Sequence, residues 1–181
     1  MKLGDRFIQA WRMRVAARWI PRGSRILDVG CHQGEFFKYL GDRISPSVGM
    51  DPLVLPNKFT MQHELLPILL NDKQPFEDSS FDVIVLLATI EHITDKTIVA
   101  REAWRLLRPG GRVIITIPSS AVDKILDCLI YLKLVDGMSL EEHHGFDVNG
   151  LADIFESEGL RLKHRKKFQL GLNNLFIFER P

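Results

Sequence analysis

Three groups of residues have types and spacings that could do chemistry. The first is Asp28-Val29-Gly30-Cys31-His32-Gln33-Gly34, which closes the apolar run from Arg25 to Val29. Glycine lets a ligand lie against the main chain where a Cβ would block it. Gly30 and Gly34 therefore make a cradle, and the helix expected to follow presents free N–H groups to it. The second is Asp51, which stands 21 positions beyond Gly30, at the end of the next apolar run. An acid at about that distance can accept hydrogen bonds from ribose hydroxyls. The third is a set of histidines, His92 behind Glu91 and the pair His143-His144. Each could remove a proton from a reacting group.

The loop discriminates between ligands. A dinucleotide fingerprint, G-x-G-x-x-G, needs a glycine where His32 stands. Asp28 at the strand end would repel a pyrophosphate. A ligand with ammonium and sulfonium charge would use that carboxylate, so the loop favours S-adenosylmethionine over NAD. Asp51 suits either, since both carry the ribose. A metal site built from Glu141, Glu142, His143 and His144 lacks a recognisable ligand spacing, and no metal is expected.

These residues need a scaffold. Residues 6–20 read as a helix in which Phe7, Trp11, Val15 and Trp19 recur every four positions among Arg6, Arg12, Arg14 and Arg18, with Pro21 and Gly23 ending it. The arginines read as a solvated face that could also touch an anionic substrate. Short strands are expected at 25–29 and 47–50, with a helix over 35–40 between them. A weak strand falls within 65–70, and Pro67 puts it at a sheet edge. Phe81–Ala88 is nearly continuous in apolar residues, as a strand buried on both faces should be. A helix over 95–107 follows, with Arg105 and Arg108 near its end where cations suit the helix dipole. Then come a Pro109-Gly110-Gly111 turn, a strand at 113–117, an apolar helix near 122–135 and a helix over 147–158. Two tail strands, about 161–169 and 175–180, have no helix between them and should pair antiparallel. Strand alternating with helix gives a parallel α/β sheet. In such a sheet ligands bind beyond the carboxyl ends of the strands, where strand order reverses. The loops at Gly30, Asp51, Asn71, Ala88 and Pro118 should therefore share one face.

Composition sets outer bounds. The 181 residues, 45 % hydrophobic and 26 % charged, suit one globular domain over 1–181. A net charge of +1 gives no global argument for nucleic acid, and no DNA partner is expected. Two cysteines are too few for a disulfide framework, and no apolar run reaches the roughly 18 residues of a membrane span. A reduced, cytoplasmic chain is the simplest expectation.

Four blocks give the sequence its resemblance: ILDVGCHQG at 26–34, GMD at 49–51, PFEDSSFDVIVLLATIEHI at 75–93 and LLRPGGRVIITIP at 106–118. In this order the chain resembles the class I S-adenosylmethionine-dependent methyltransferases that act on small molecules, the type 11-like family. The resemblance implies a doubly wound, three-layer Rossmann-like fold with a seven-stranded, mostly parallel sheet in the order 3-2-1-4-5-7-6, strand 7 antiparallel. It also implies roles. Asp28 and the loop Gly30, Cys31, His32 and Gly34 would hold the methionine part of the cofactor, and Asp51 the ribose. Asn71 or Asp72 would meet the adenine edge, and Leu87 and Ala88 would lie beneath the sulfonium. His92 and His144 would border the acceptor, with His143 beside them, and a small cover segment would span about 119–146. The expected acceptor is a small molecule or lipid- or sugar-like. The absence of a Pro-Cys or an Asn/Asp-Pro-Pro-Tyr segment after the fourth strand argues against methylation of nucleic-acid bases. Three departures stand out: His32 at the middle glycine, a proline-broken stretch from 51 to 75, and the modest cover segment. They leave open a cofactor-binding or partner module without catalysis.

Overall fold

The computed structural model describes residues 3–55, 58–70, 73–119, 148 and 150–181. In chain order the elements are α1 (Leu3–Ala17), β1 (Ile26–Val29), α2 (Glu35–Leu40), β2 (Val48–Met50), β3 (Lys58–Thr60), β4 (His63–Leu66), β5 (Phe81–Leu87), α3 (Lys96–Leu106), β6 (Leu107–Pro118), α4 (Leu151–Ser157), β7 (Arg161–Phe168) and β8 (Asn173–Glu179). One sheet takes them in the order β3-β4-β2-β1-β5-β6-β8-β7. Without β3 this is the order 3-2-1-4-5-7-6 over seven strands. The seventh, β8, runs antiparallel to both neighbours, as the tail pattern requires.

Successive strand residues point to opposite faces, and both faces are covered. Leu27, Val29, Ile84, Leu86, Val113 and Ile115 pack with Val99, Ala100 and Ala103 of α3 and with Leu151 and Phe155 of α4. Ile26, Val83, Val85, Ile114 and Ile177 pack on the other side with Ala16 and Ala17 of α1 and with Phe36, Phe37 and Leu40 of α2. This double burial makes β5 read as an unbroken apolar run, and it gives the fold its three layers.

Four details differ from the sequence expectation. The stretch before residue 63 holds β3, a three-residue strand that pairs antiparallel with β4. That makes β3 the edge, so β4 is internal despite Pro67. Pro67 lies just past Leu66, the last paired residue, where no ladder N–H is required. The buried ring of His63 anchors the hairpin by stacking on Phe37 with centroids 4.6 Å apart, and its Nδ1 accepts the Ser47 N–H. Pro109-Gly110-Gly111 does not separate β6 from what precedes it; the strand starts at Leu107 and absorbs the glycines as an irregularity between the Phe81 and Val83 pairs. Finally, α1 ends at Ala17 instead of 20, and of the expected row only Val15 and Trp19 pack against the core. Phe7 is 65 % and Trp11 37 % exposed, whereas Ala16, Ala17 and Ile20 are buried. At the other edge, β7 exposes Arg161, Lys163, Arg165, Lys166 and Lys167, a charged rim that discourages pairing with another sheet. Among the described residues no helix is long and apolar enough to cross a membrane.

Candidate functional site

The loop after β1 is folded by its own hydrogen bonds. The Gly30 and Cys31 N–H groups both donate to the Met50 carbonyl, at 2.7 and 3.2 Å, tying the loop to the end of β2. Gly30 has φ +79°, and a Cβ there would lie 2.3 Å from Thr89 Oγ1. The glycine is thus required both by its backbone angle and by the close approach of the loop that follows β5. His32, where a middle glycine was expected, also takes a left-handed angle, φ 47°. Its N–H donates to Asp51 Oδ2 at 2.9 Å, and its exposed ring meets Glu35 Oε1 through Nδ1 at 2.9 Å. A side chain is accommodated because it points to solvent, and the loop keeps the path a glycine would give it.

Asp51 is oriented by two main-chain donors, His32 N–H to Oδ2 and Leu53 N–H to Oδ1, each 2.9 Å. Each oxygen keeps a second lone pair for a further donor. Asp28 is only 3 % exposed. Burial, with the negative charges of Glu35 and Asp51 adding to it, pushes its carboxyl up to about 7. Burial likewise raises the Cys31 thiol, with Asp28 and Asp51 reinforcing it, so this cysteine is no thiolate.

A cleft of about 390 Å³, part of it open to solvent, runs between this loop and α1. Its floor is Asp28, Gly30, Cys31, His32 and Leu87, with Glu35 and Phe36 at one side. Its roof is Gln9, Arg12 and Met13. These stand at i, i+3 and i+4 on α1, with Ala16 following at i+7, so one helical face meets the loop. Arg12, grouped by its sequence with a solvated face, is turned inward. Its Nε is buried without a partner, and burial holds its guanidinium below the usual range, partly offset by Glu91. No periodic signal separates Arg12 from Arg6, Arg14 and Arg18, which are exposed.

Ala88 follows β5 in a left-handed conformation, φ 55°, its N–H bonded to the Thr116 carbonyl at 2.8 Å. The chain then makes a short 3₁₀ turn, Ile90–His92. His92 is exposed on it, while the Glu91 carboxylate is buried. Asn71, Asp72, His143 and His144 lie outside the described residues, as does nearly all of 119–146. Among the described residues no group of three or more His, Cys, Asp or Glu could hold a metal ion.

Known proteins share this architecture. The sequence profile of the family described as "Methyltransferase domain" matches residues 2–165. Phosphoethanolamine N-methyltransferase 3 of Arabidopsis thaliana is 33 % identical over 102 residues, 52 % of this chain and 21 % of that protein. Demethylmenaquinone methyltransferase of Staphylococcus aureus is 28 % identical over 116 residues, 59 % of this chain and 48 % of that protein. The match thus spans about half of the second relative and about a fifth of the first. The structure of a TehB-like S-adenosylmethionine-dependent methyltransferase from Corynebacterium glutamicum superposes with a TM-score of 0.69 at 17 % identity, covering 98 % of this chain and 97 % of that one. Fold, loop and family profile agree, and the chain belongs to the methyltransferase domain family, in its class I S-adenosylmethionine-dependent form.

Proposed function

We propose that the chain transfers a methyl group from S-adenosylmethionine to a small-molecule or lipid- or sugar-like acceptor. The observation that carries this reading is the pair of opposite, poorly compensated charges in one cleft: Asp28 on the strand, Arg12 on the helix. The amino-acid end of S-adenosylmethionine is a zwitterion, so its ammonium suits Asp28 and its carboxylate suits Arg12. Asp51 would accept the ribose hydroxyls. Leu87 and Ala88 would lie beneath the sulfonium, and Gly30, Cys31, His32 and Gly34 would carry the main chain past the ligand. Asn71 or Asp72 stays the proposed adenine contact. The residues fit the cofactor, which supplies an already activated methyl group.

The chain's own work is then to bind, align and exclude water. Where the acceptor must lose a proton, the loop after β5 is the place to look, and His92, His143 and His144 remain proposed contributors. The compounds for which the two relatives are named, phosphoethanolamine and demethylmenaquinone, support a small acceptor. Of the departures that favour an inactive cofactor-binding module, His32 is the one its left-handed backbone weakens, and the proline-broken stretch from 51 to 75 still supports that reading.

The test is incubation with S-adenosylmethionine carrying a deuterated methyl group and a panel of amine, polyol, quinol and glycolipid acceptors. One acceptor class should gain the label with matching S-adenosylhomocysteine release. Tight cofactor binding with no labelled product in any class would favour the inactive module.

A further inference from the structure

Glu91 carries a buried carboxylate that lies outside the proposed cofactor contacts. Both of its carboxylate oxygens are buried without a hydrogen-bond partner, and its own backbone N–H gives only partial compensation. Two cations face it: Arg12 of α1, which lines the cofactor cleft, and Lys96 of α3, whose Nζ is bonded to the Ile93 carbonyl at 2.8 Å. Neither donates a hydrogen bond to it. A buried ionised acceptor left unpaired costs stability. A ligand that brings a donor would remove that cost. The place is specific as well. Glu91 stands three residues after Ala88, on the turn whose Thr89 touches Gly30 of the cofactor loop.

The geometry points to Glu91 as the residue that receives the acceptor, binding an N–H or O–H of the nucleophile beside the activated methyl group and taking its proton. This rests on the methyl-transfer reading above. The acceptor's proton moves to a Glu91 Oε. The lone pair it leaves forms the bond to the methyl carbon, and the electron pair of the broken carbon–sulfur bond stays on sulfur, neutralising the sulfonium. Burial also pushes the Glu91 carboxyl up to about 7, with Arg12 and Lys96 pulling the other way, close to the value at which a base works best near neutral pH. His92, its exposed neighbour, lacks this burial. The acceptor class is one that offers an N–H or O–H donor to a carboxylate, an alcohol or an amine.

The test compares the full-length protein with Glu91→Gln in two readouts. The first is melting temperature without ligand from pH 5 to 9. The folded carboxyl is raised above its unfolded value, so wild-type stability from this group is lost as pH rises to about 7. Glu91→Gln should therefore melt about 2–6 °C above wild type at pH 8, with a smaller gap at pH 5. A variant melting below wild type at pH 8 would make Glu91 a structural partner of Arg12 and overturn the inference. The second readout is calorimetric binding of ethanolamine, which offers both a hydroxyl and an ammonium, to protein saturated with S-adenosylhomocysteine. Wild type should bind it, and Glu91→Gln should bind at least about tenfold more weakly. No binding by wild type, or equal binding by both, would overturn it. Failure of S-adenosylhomocysteine itself to bind would instead sink the methyl-transfer reading, and the melting comparison would still decide whether Glu91 is an uncompensated charge.

Discussion

Asp28 sits where folding alone would not put an ionised carboxylate. It is buried in the central strand, and the charges of Glu35 and Asp51, which act on it, share its sign. Because the folded-state pKa rises from 3.8 to about 7, this group's contribution is fully present below the unfolded value and is lost as pH rises through about 7. At pH 8 the ionised form costs on the order of 4 kcal/mol. Asp28→Asn should therefore raise the melting temperature of the ligand-free protein at pH 8, by more than at pH 5. It should also weaken S-adenosylhomocysteine about ten- to a hundred-fold, because a charge-assisted hydrogen bond to the ammonium is lost. A less stable variant, or one that binds as wild type does, would show that Asp28 serves the fold instead. Such a tension between stability and ligand was readable in the sequence as a lone acid on an apolar strand before a glycine. The matching cation was not. Arg12 differs from its neighbours only in which way α1 is rotated, and packing with the loop decides that.

At the scale of elements, the helix and strands that build the site were legible wherever burial is two-sided or capping is clear. Glu35–Leu40 and Phe81–Leu87 are examples, as is α3, whose N-cap Asp95 accepts from the Thr97 and Ile98 N–H groups. β3 was illegible because three residues hemmed in by prolines carry no period. Arg105 was read as a dipole partner, yet the structure gives it specific bonds. Its Nε and a terminal nitrogen reach the two oxygens of buried Glu102 at 2.8 and 2.7 Å, and it also donates to the Gln74 and Phe76 carbonyls and to Asp78. Glu102 in turn accepts the Gln74 N–H at 2.9 Å. This network fastens the segment entering β5 to α3, and so fixes where β5 ends. Arg105→Met would leave the buried Glu102 with the Gln74 N–H but without its cation. We expect a loss of about 3–5 kcal/mol in denaturant unfolding, with cofactor affinity changed only through stability. A loss under about 1 kcal/mol would mean that the pair is no more than a surface contact.

For the whole molecule, the alternation of strand and helix implied a parallel sheet with an antiparallel tail, the resemblance supplied its strand order, and topology alone brought Gly30, Asp51 and Ala88 to one face. The acceptor was less legible, because a fold hosts many chemistries and the acceptor is chosen by side chains outside its shared motifs. Glu91 illustrates this. Beside His92 it looks like the lesser candidate, and only burial separates the two. The proposed function stands on S-adenosylmethionine binding where the glycine loop meets Asp51, whose carboxylate accepts the His32 N–H. Calorimetric titration of the same protein with S-adenosylhomocysteine and with NAD, in wild type and Asp51→Ala, tests it most directly. Single-site binding of S-adenosylhomocysteine, no binding of NAD, and about a ten- to hundred-fold loss in Asp51→Ala with its melting temperature near that of wild type are expected. Binding of NAD in place of S-adenosylhomocysteine, or equal affinity in a folded Asp51→Ala, would contradict it.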